Sequence, residues 1–369
     1  MKLLALTEAA QHVCYRYRLA AFRDALRQRQ WDIEPMPLAR GIWHRTRQLR
    51  QVGRYDAVLL QRRLLPLWQL HQLRRAARLL IYDFDDALYL RDSFSPKGTS
   101  SWKRLAHFWA TLHAADLIIA GSAHLAEVAT AYVGPERVHR VPTCIDAERY
   151  SPATHRRRET DVQLVWIGSR STLPYLQQAQ AGLHAAAARL PGLRIKVICD
   201  TFPQWEHPRV VPCHWQADRE ALELHRADIG IAWLTEDDWA RGKCGLKVLQ
   251  YMAAGLPVVA NRVGIHTTLV QPGKTGFLAS TPKETATAIH RLALDPRLRQ
   301  TMGHAARQQV QRDFSTRRWG PELAGLIDDA WRVQRKLPLL SKVAEGGEHG
   351  ESLRRPSRVV SACAGDPPR

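Results

Sequence analysis

Between Arg241 and Ala260 the chain runs Arg-Gly-Lys-Cys-Gly-Leu-Lys-Val-Leu-Gln-Tyr-Met-Ala-Ala-Gly-Leu-Pro-Val-Val-Ala. Gly245 can turn the chain tightly, Leu246–Ala253 has the character of a helix, Gly255 ends it, and Leu256–Ala260 suits a buried strand. A glycine loop opening a helix offers backbone N–H groups and the positive end of a dipole, which together favour a phosphate. Lys243 and Lys247 add positive charge at that point. Spacing alone leaves an ordinary β–α–β crossover with two solvated lysines as the alternative. A second cluster, Tyr82-Asp83-Phe84-Asp85-Asp86-Ala87, carries three carboxylates at the end of an apolar run. Such a set either holds a divalent cation between phosphate oxygens or faces a cleft from the strand end, where open α/β sheets present ligands. In Tyr15-Arg16-Tyr17-Arg18, Arg16 and Arg18 either grip a phosphate through forked hydrogen bonds or open an amphipathic helix as exposed charges.

The elements that must position these residues follow from periodicity. Short apolar runs alternate with helical patterns, the signature of β–α–β units and a parallel sheet. Strands are expected at Lys2–Leu6, Ala57–Gln61, Leu79–Asp83, Leu117–Ala120 and Val138–Val141, forming an α/β domain over residues 1–150. A polar, basic stretch at Ser151–Asp161 suits a linker. A second series follows at Gln163–Ile167, Arg194–Ile198, Arg209–Val211, Ile229–Ala232 and Val258–Ala260, giving a domain over 151–340. Residues 281–335 read as helical, broken at Asp295-Pro296. Residues 341–369, rich in Gly, Ser, Arg and Pro, are expected to be a disordered tail.

Composition bounds the possibilities. The 369 residues, 45% hydrophobic, can bury a large core, and the formal net charge is +19. Residues 1–80 hold 16 Lys/Arg against 5 Asp/Glu, so the excess is local. Within Arg40–Arg78, the segments Arg62-Arg63-Leu64-Leu65-Pro66-Leu67-Trp68 and Arg74-Arg75-Ala76-Ala77-Arg78 interleave Trp and Leu with Arg. That suits either an interfacial membrane surface or a solvated helix face. Six scattered cysteines form no CxxC pair, so neither a metal knuckle nor a disulfide framework is indicated, and a cytoplasmic, reduced setting is the plain reading. No run approaches the roughly 20 apolar residues that span a bilayer. The basic residues are not set around a nucleic-acid-binding signature, so no nucleic-acid partner is expected.

The stretch Arg241–Ala260 resembles the donor-binding signature of glycosyltransferase family 4, retaining enzymes of the GT-B fold. Four further segments resemble a branch of that family bearing Arg-Gly-Lys-Cys-Gly. They are Tyr82–Ala87, Val141-Pro142-Thr143-Cys144-Ile145-Asp146, Trp166-Ile167-Gly168-Ser169-Arg170-Ser171-Thr172 and Gly273-Lys274-Thr275-Gly276-Phe277-Leu278. The resemblance covers about residues 1–335 and implies two Rossmann-like domains whose parallel sheets face across a cleft. It implies that Arg170, Lys243, Gly245, Leu246 and Lys247 bind the donor diphosphate and that Gln250 holds the ribose in place of the usual second glutamate. The first glutamate is replaced by Gly242, and Asp237 and Asp238 upstream could substitute for it on the sugar, alongside Arg16 and Arg18. Asp83, Asp85 and Asp86 are expected as the catalytic acids, without metal or other cofactor beyond the donor as co-substrate.

The implied activity is transfer of a sugar from a nucleotide sugar to a glycan or lipid-linked acceptor. Cell-envelope or exopolysaccharide assembly at the inner face of the membrane would be its setting. Two rivals are a nucleotide-sugar epimerase on the same fold and a catalytically inactive GT-B-like binding module.

Overall fold

In a computed structural model, which describes residues 1–9, 12–157 and 161–336, twelve strands form two six-stranded sheets. The first sheet comprises β1 (Lys2–Thr7), β2 (Asp32–Pro37), β3 (Ala57–Gln61), β4 (Leu79–Phe84), β5 (Leu117–Ala120) and β6 (Val138–Arg140). The second comprises β7 (Gln163–Ile167), β8 (Arg194–Cys199), β9 (Arg209–His214), β10 (Ile229–Ala232), β11 (Val258–Asn261) and β12 (Gly276–Ala279). Their orders are β2-β1-β3-β4-β5-β6 and β12-β11-β10-β7-β8-β9, and every pairing is parallel. Both sheets lie within one compact unit, Met1–Gln334.

A parallel sheet is covered on both faces, so its strands are apolar throughout rather than alternating. In the first sheet Leu4, Leu6, Val58, Leu60, Leu80 and Tyr82 pack against the helices Ile42–Arg50, Leu67–Ala76, Trp102–Ala114 and Ala123–Val133. Their neighbours Leu3, Ala5, Leu59 and Ile81 point the other way, onto Phe22, Leu26 and Trp31 and onto Leu323, Ile327 and Trp331 of the helix Thr316–Lys336. That last helix follows the second sheet in sequence, yet its apolar face completes the first core. In the second sheet, Leu164, Trp166, Ile195 and Val197 face Leu183 and Ile289. Val165 and Ile167 face Val248, Leu249 and Met252 of the helix Leu246–Ala253.

The chain passes between the halves twice, after β6 and before Thr316, and the two crossings meet. Ile145 N–H donates to the Phe314 carbonyl at 2.9 Å and Thr316 N–H to the Ile145 carbonyl at 3.2 Å. Asp295 caps the helix Pro296–Asp313 by accepting from Leu298 N–H at 2.9 Å, which is the break anticipated at Asp295-Pro296.

Two strands escaped the sequence reading, β2 and β12, and both are sheet edges. β2 contains Pro35 and Pro37, which an edge tolerates because one side of its ladder is unused. The tail assigned to 341–369 lies outside the described residues. Among the described residues no helix is long and apolar enough to cross a membrane.

Candidate active site

Each sheet reverses its strand order once, between β1 and β3 and between β7 and β10, and open sheets bind ligands beside such points. The loops at these points enclose one cavity of about 520 Å³. The first half contributes His12, Arg62, Asp85 and Asp86, and the second Gly168, Trp215, Glu220, Trp233, Lys243, Lys247 and Gln250.

On the second half, Gly245 is the N-cap of the helix Leu246–Ala253, in the left-handed region at φ +72. A Cβ there would lie 2.4 Å from Leu269 Cδ1, so glycine is required twice over. The helix start is thereby opened to the cavity. Lys247 is the second residue of that helix, its ammonium 5.1 Å from the centroid of the Trp166 ring. It makes no hydrogen bond or salt bridge among the described residues. Burial, and then repulsion from Lys243, push its pKa down to about 8. Lys243 is differently placed. It pairs with Asp86 at 3.1 Å and lies 4.7 Å from the Trp239 ring centroid. Burial works against its charge, and the attraction of Asp86 more than offsets it.

On the first half, Asp85 and Asp86 follow β4 directly and are bridged by Arg62. The guanidinium lies 3.0 Å from Asp85, pairs with Asp86, and lies 2.7 Å from Cys14 Sγ. Arg62 itself adopts φ +52, a conformation that costs a non-glycine residue and is retained where surroundings over-determine it. Burial acts against the Asp86 charge, but Lys243 and Arg62 hold its carboxyl below the ordinary range.

A third group closes the cavity across the two halves. Glu220, almost fully buried, accepts from Tyr17 Oη at 2.5 Å, Arg16 Nη2 at 2.8 Å and Trp215 Nε1 at 3.0 Å. Gln250 Nε2 donates to Tyr17 Oη at 3.0 Å and Tyr150 Oη at 3.4 Å. The amide thus presents Oε1 as its remaining acceptor.

Residues 177–324 match the family model described as "Glycosyl transferase-like". The D-inositol 3-phosphate glycosyltransferase of Saccharomonospora viridis is 38% identical over 233 residues, 56% of this chain and 53% of that protein. Glycogen synthase of Mycobacterium tuberculosis is 27% identical over 222 residues, 54% of this chain and 50% of that protein. The chain spans about half the length of these curated relatives. Among solved structures, sucrose-phosphate synthase from Thermosynechococcus elongatus is similar with a TM-score of 0.69 at 16% identity, covering 90% of this chain and 100% of that one. Anabaena HepE, solved with UDP and glucose, gives 0.65 at 17% identity over 89% and 100%. The fold is GT-B.

Within this GT-B frame the expected residues divide. Lys243, Gly245, Leu246, Lys247, Gln250, Asp85 and Asp86 line the one cavity. Asp83 and Arg18 do not. They form a fully buried pair at 2.5 Å, with Arg18 also donating to the Val141 carbonyl at 2.6 Å. Asp83 lies within β4 on the same face as Leu79 and Ile81, where Arg18 meets it, whereas Asp85 lies past the end of the strand and its direction is set by the loop. Arg16 is committed to Glu220 rather than free for a phosphate or sugar. Arg170 is exposed beside the cavity, not in its wall, and its backbone N–H donates to Asp200 at 2.8 Å. Asp237 caps the helix Asp238–Arg241 through Ala240 N–H at 2.8 Å, and Asp238 pairs with Arg241 on the surface. Neither lines the cavity. A side chain at Gly242 would meet Ala87, with Cβ atoms 2.6 Å apart.

Several wall residues were missed: Arg62, Asp200, Trp215 and Trp233 are each the first residue after a strand, β3, β8, β9 and β10 respectively. That position is a usable signal, because strand ends in this fold class face the crevice.

Proposed function

We propose that this chain is a nucleotide-sugar-dependent glycosyltransferase that transfers with retention. The observation that carries this reading is a single GT-B cleft joining an uncompensated ammonium, Lys247, and a glycine-opened helix start to two carboxylates from the opposite half. The donor diphosphate would take the helix N–H groups, Lys247 and Lys243, while Gln250 Oε1 accepts from a ribose hydroxyl. Cations and oriented N–H groups in such a site stabilise the charge that grows on the leaving group. The bond from the anomeric carbon to the diphosphate oxygen breaks, and its electron pair leaves with the diphosphate. The acceptor hydroxyl bonds to the same face of that carbon, and its proton passes to the departing phosphate oxygen. Asp85, at the cavity wall opposite the lysines, orients the sugar or acceptor. Asp86 holds Lys243 and Arg62 in place. With Asp83 held by Arg18, Asp85 beside Arg62 and Asp86 by two cations, this set of carboxylates is not available to a divalent cation, so turnover is expected to survive EDTA.

The acceptor we propose is a glycan or lipid-linked saccharide of cell-envelope or exopolysaccharide assembly, at the inner face of the membrane. A thermal-shift screen against nucleotide sugars tests the donor site, because ligand at 100 times its dissociation constant stabilises by about 2.7 kcal/mol. Turnover of the stabilising donor with saccharide acceptors, followed by NMR at the new anomeric centre, tests transfer and stereochemistry. Binding without transfer would assign a non-catalytic module, and conversion of donor without acceptor an epimerase.

A further inference from the structure

Three neighbouring helices on one face of the first sheet end in exposed tryptophans at the same edge. Trp43 is the second residue of Ile42–Arg50, Trp68 the second of Leu67–Ala76 and Trp102 the first of Trp102–Ala114. The helices pack side by side, Gln72 donating to the Thr46 carbonyl at 3.0 Å and Arg74 to the Ala114 carbonyl at 3.1 Å. Each crosses back between parallel strands, so all three begin at the strand ends that also carry Arg62 and Asp85. With packed helices 8–10 Å apart, the three rings span roughly 20 Å beside the cleft. Trp43 and Trp102 are 85% and 83% exposed, Ile42, Leu67 and Trp68 are at least half exposed, and Trp109 adds a half-exposed ring two turns below Trp102 on the same helix face.

The charge on these helices is one-sided. None of the three contains Asp or Glu, while Arg47, Arg50, Arg75 and Lys103 are exposed on them. Isolated exposed apolar residues need no explanation, but a contiguous set beside cations has the composition of an interfacial surface. Tryptophan is favoured at the headgroup level, and each Lys or Arg near an anionic leaflet adds attraction.

We infer that this face docks on an anionic lipid bilayer, with Trp43, Trp68 and Trp102 entering the headgroup layer and the cleft opening beside it. The docking surface stands on exposure and charge; its service to a lipid-linked acceptor rests on the transferase reading. A neutral glycan would use the rings but gain nothing from the cations of these three acid-free helices.

The full chain is sedimented with phosphatidylcholine vesicles and with vesicles of phosphatidylcholine and phosphatidylglycerol in equal parts. Binding is expected to the second only, and to fall with salt. Trp43→Ala with Trp102→Ala should weaken it at least tenfold. Arg47→Glu, Arg75→Glu and Lys103→Glu together should weaken it on the order of a hundredfold. These side chains are exposed, so melting temperature and nucleoside diphosphate affinity should stay at wild-type values. No binding to anionic vesicles, or binding unchanged in both variants, would overturn the inference. Quenching of the tryptophans by soluble oligosaccharide without vesicle binding would overturn it in favour of a glycan. Failure to bind any nucleoside diphosphate while vesicles still bind would instead defeat the transferase reading alone.

Discussion

The Tyr17 hydroxyl stands 3.0 Å from Gln250 Nε2, joining a helix of the first half to the helix Leu246–Ala253 of the second. The same hydroxyl touches Glu220, so Tyr17 fixes which face of the Gln250 amide looks into the cleft. Tyr17→Phe should free the amide to rotate. One hydrogen bond is worth about 0.5–1.5 kcal/mol, so the donor KM should rise up to about tenfold. The kcat should change little, because ribose contacts are equal in ground and transition states. Comparing each nucleotide with its 2′-deoxy form checks the mechanism, since the preference for ribose should shrink in the variant.

Lys247 and Lys243 should respond differently to removal. Lys247→Ala deletes a charge that makes no salt bridge in the protein, so nucleoside diphosphate affinity should fall tenfold or more with little loss of apo melting temperature. Lys243→Ala should also weaken binding, but it leaves Asp86 with Arg62 alone and should cost about 1–3 kcal/mol of stability. Calorimetric titration and thermal melts of both variants separate the roles, and nucleoside monophosphate should suffer less in each.

The depressed pKa of Lys247 gives a pH signature. Its folded value of about 8 lies below an unfolded value of about 10.4. Below pH 8 the ammonium is charged in both states and the fold bears the full cost of its burial; between pH about 8 and about 10.4 the unfolded chain binds more protons, so stability from this group rises with pH there. Diphosphate affinity should move the opposite way, falling as pH rises through about 8, since a phosphate with second pKa near 6 is already fully ionised. Titration in buffers of different ionisation heat should show proton uptake near pH 8.5, absent in Lys247→Ala.

Restoring the missing acid should not restore a conventional site. Gly242→Glu drives its Cβ against Ala87, and such overpacking costs about 1–3 kcal/mol. Gly242→Ala should be destabilised comparably, and Ala87→Gly should rescue it in part. Denaturant melts of the single and double variants measure the coupling.

The neighbouring aspartates should separate structure from chemistry. Asp83→Ala leaves the Arg18 guanidinium buried without its counter-charge, and breaking a buried pair costs about 3–5 kcal/mol. Asp85→Asn keeps volume at the cavity wall and should lower kcat with a near-normal melt. Equal melts for the two would show that Asp83 is not the structural member.

Central strands and the glycine-opened helix were legible in the sequence because their signals are local: apolar runs, Gly245, Gly255 and Pro257. What stayed hidden was direction and partnership. Asp83 and Asp85 are alike in composition, yet Asp83 is still within β4 and meets Arg18, while Asp85 lies past the strand's end and reaches the cavity. Arg16 met Glu220 across 204 residues, a pairing that no local pattern encodes. Edge strand β2 was concealed by its prolines.

The last helix, Thr316–Lys336, seals the first core after the chain has completed the second. The first half is therefore not a contiguous stretch of gene. A fragment ending near residue 150 would lack the lid for Leu3, Leu59 and Ile81 and should aggregate unless the helix is spliced back on or supplied as a peptide.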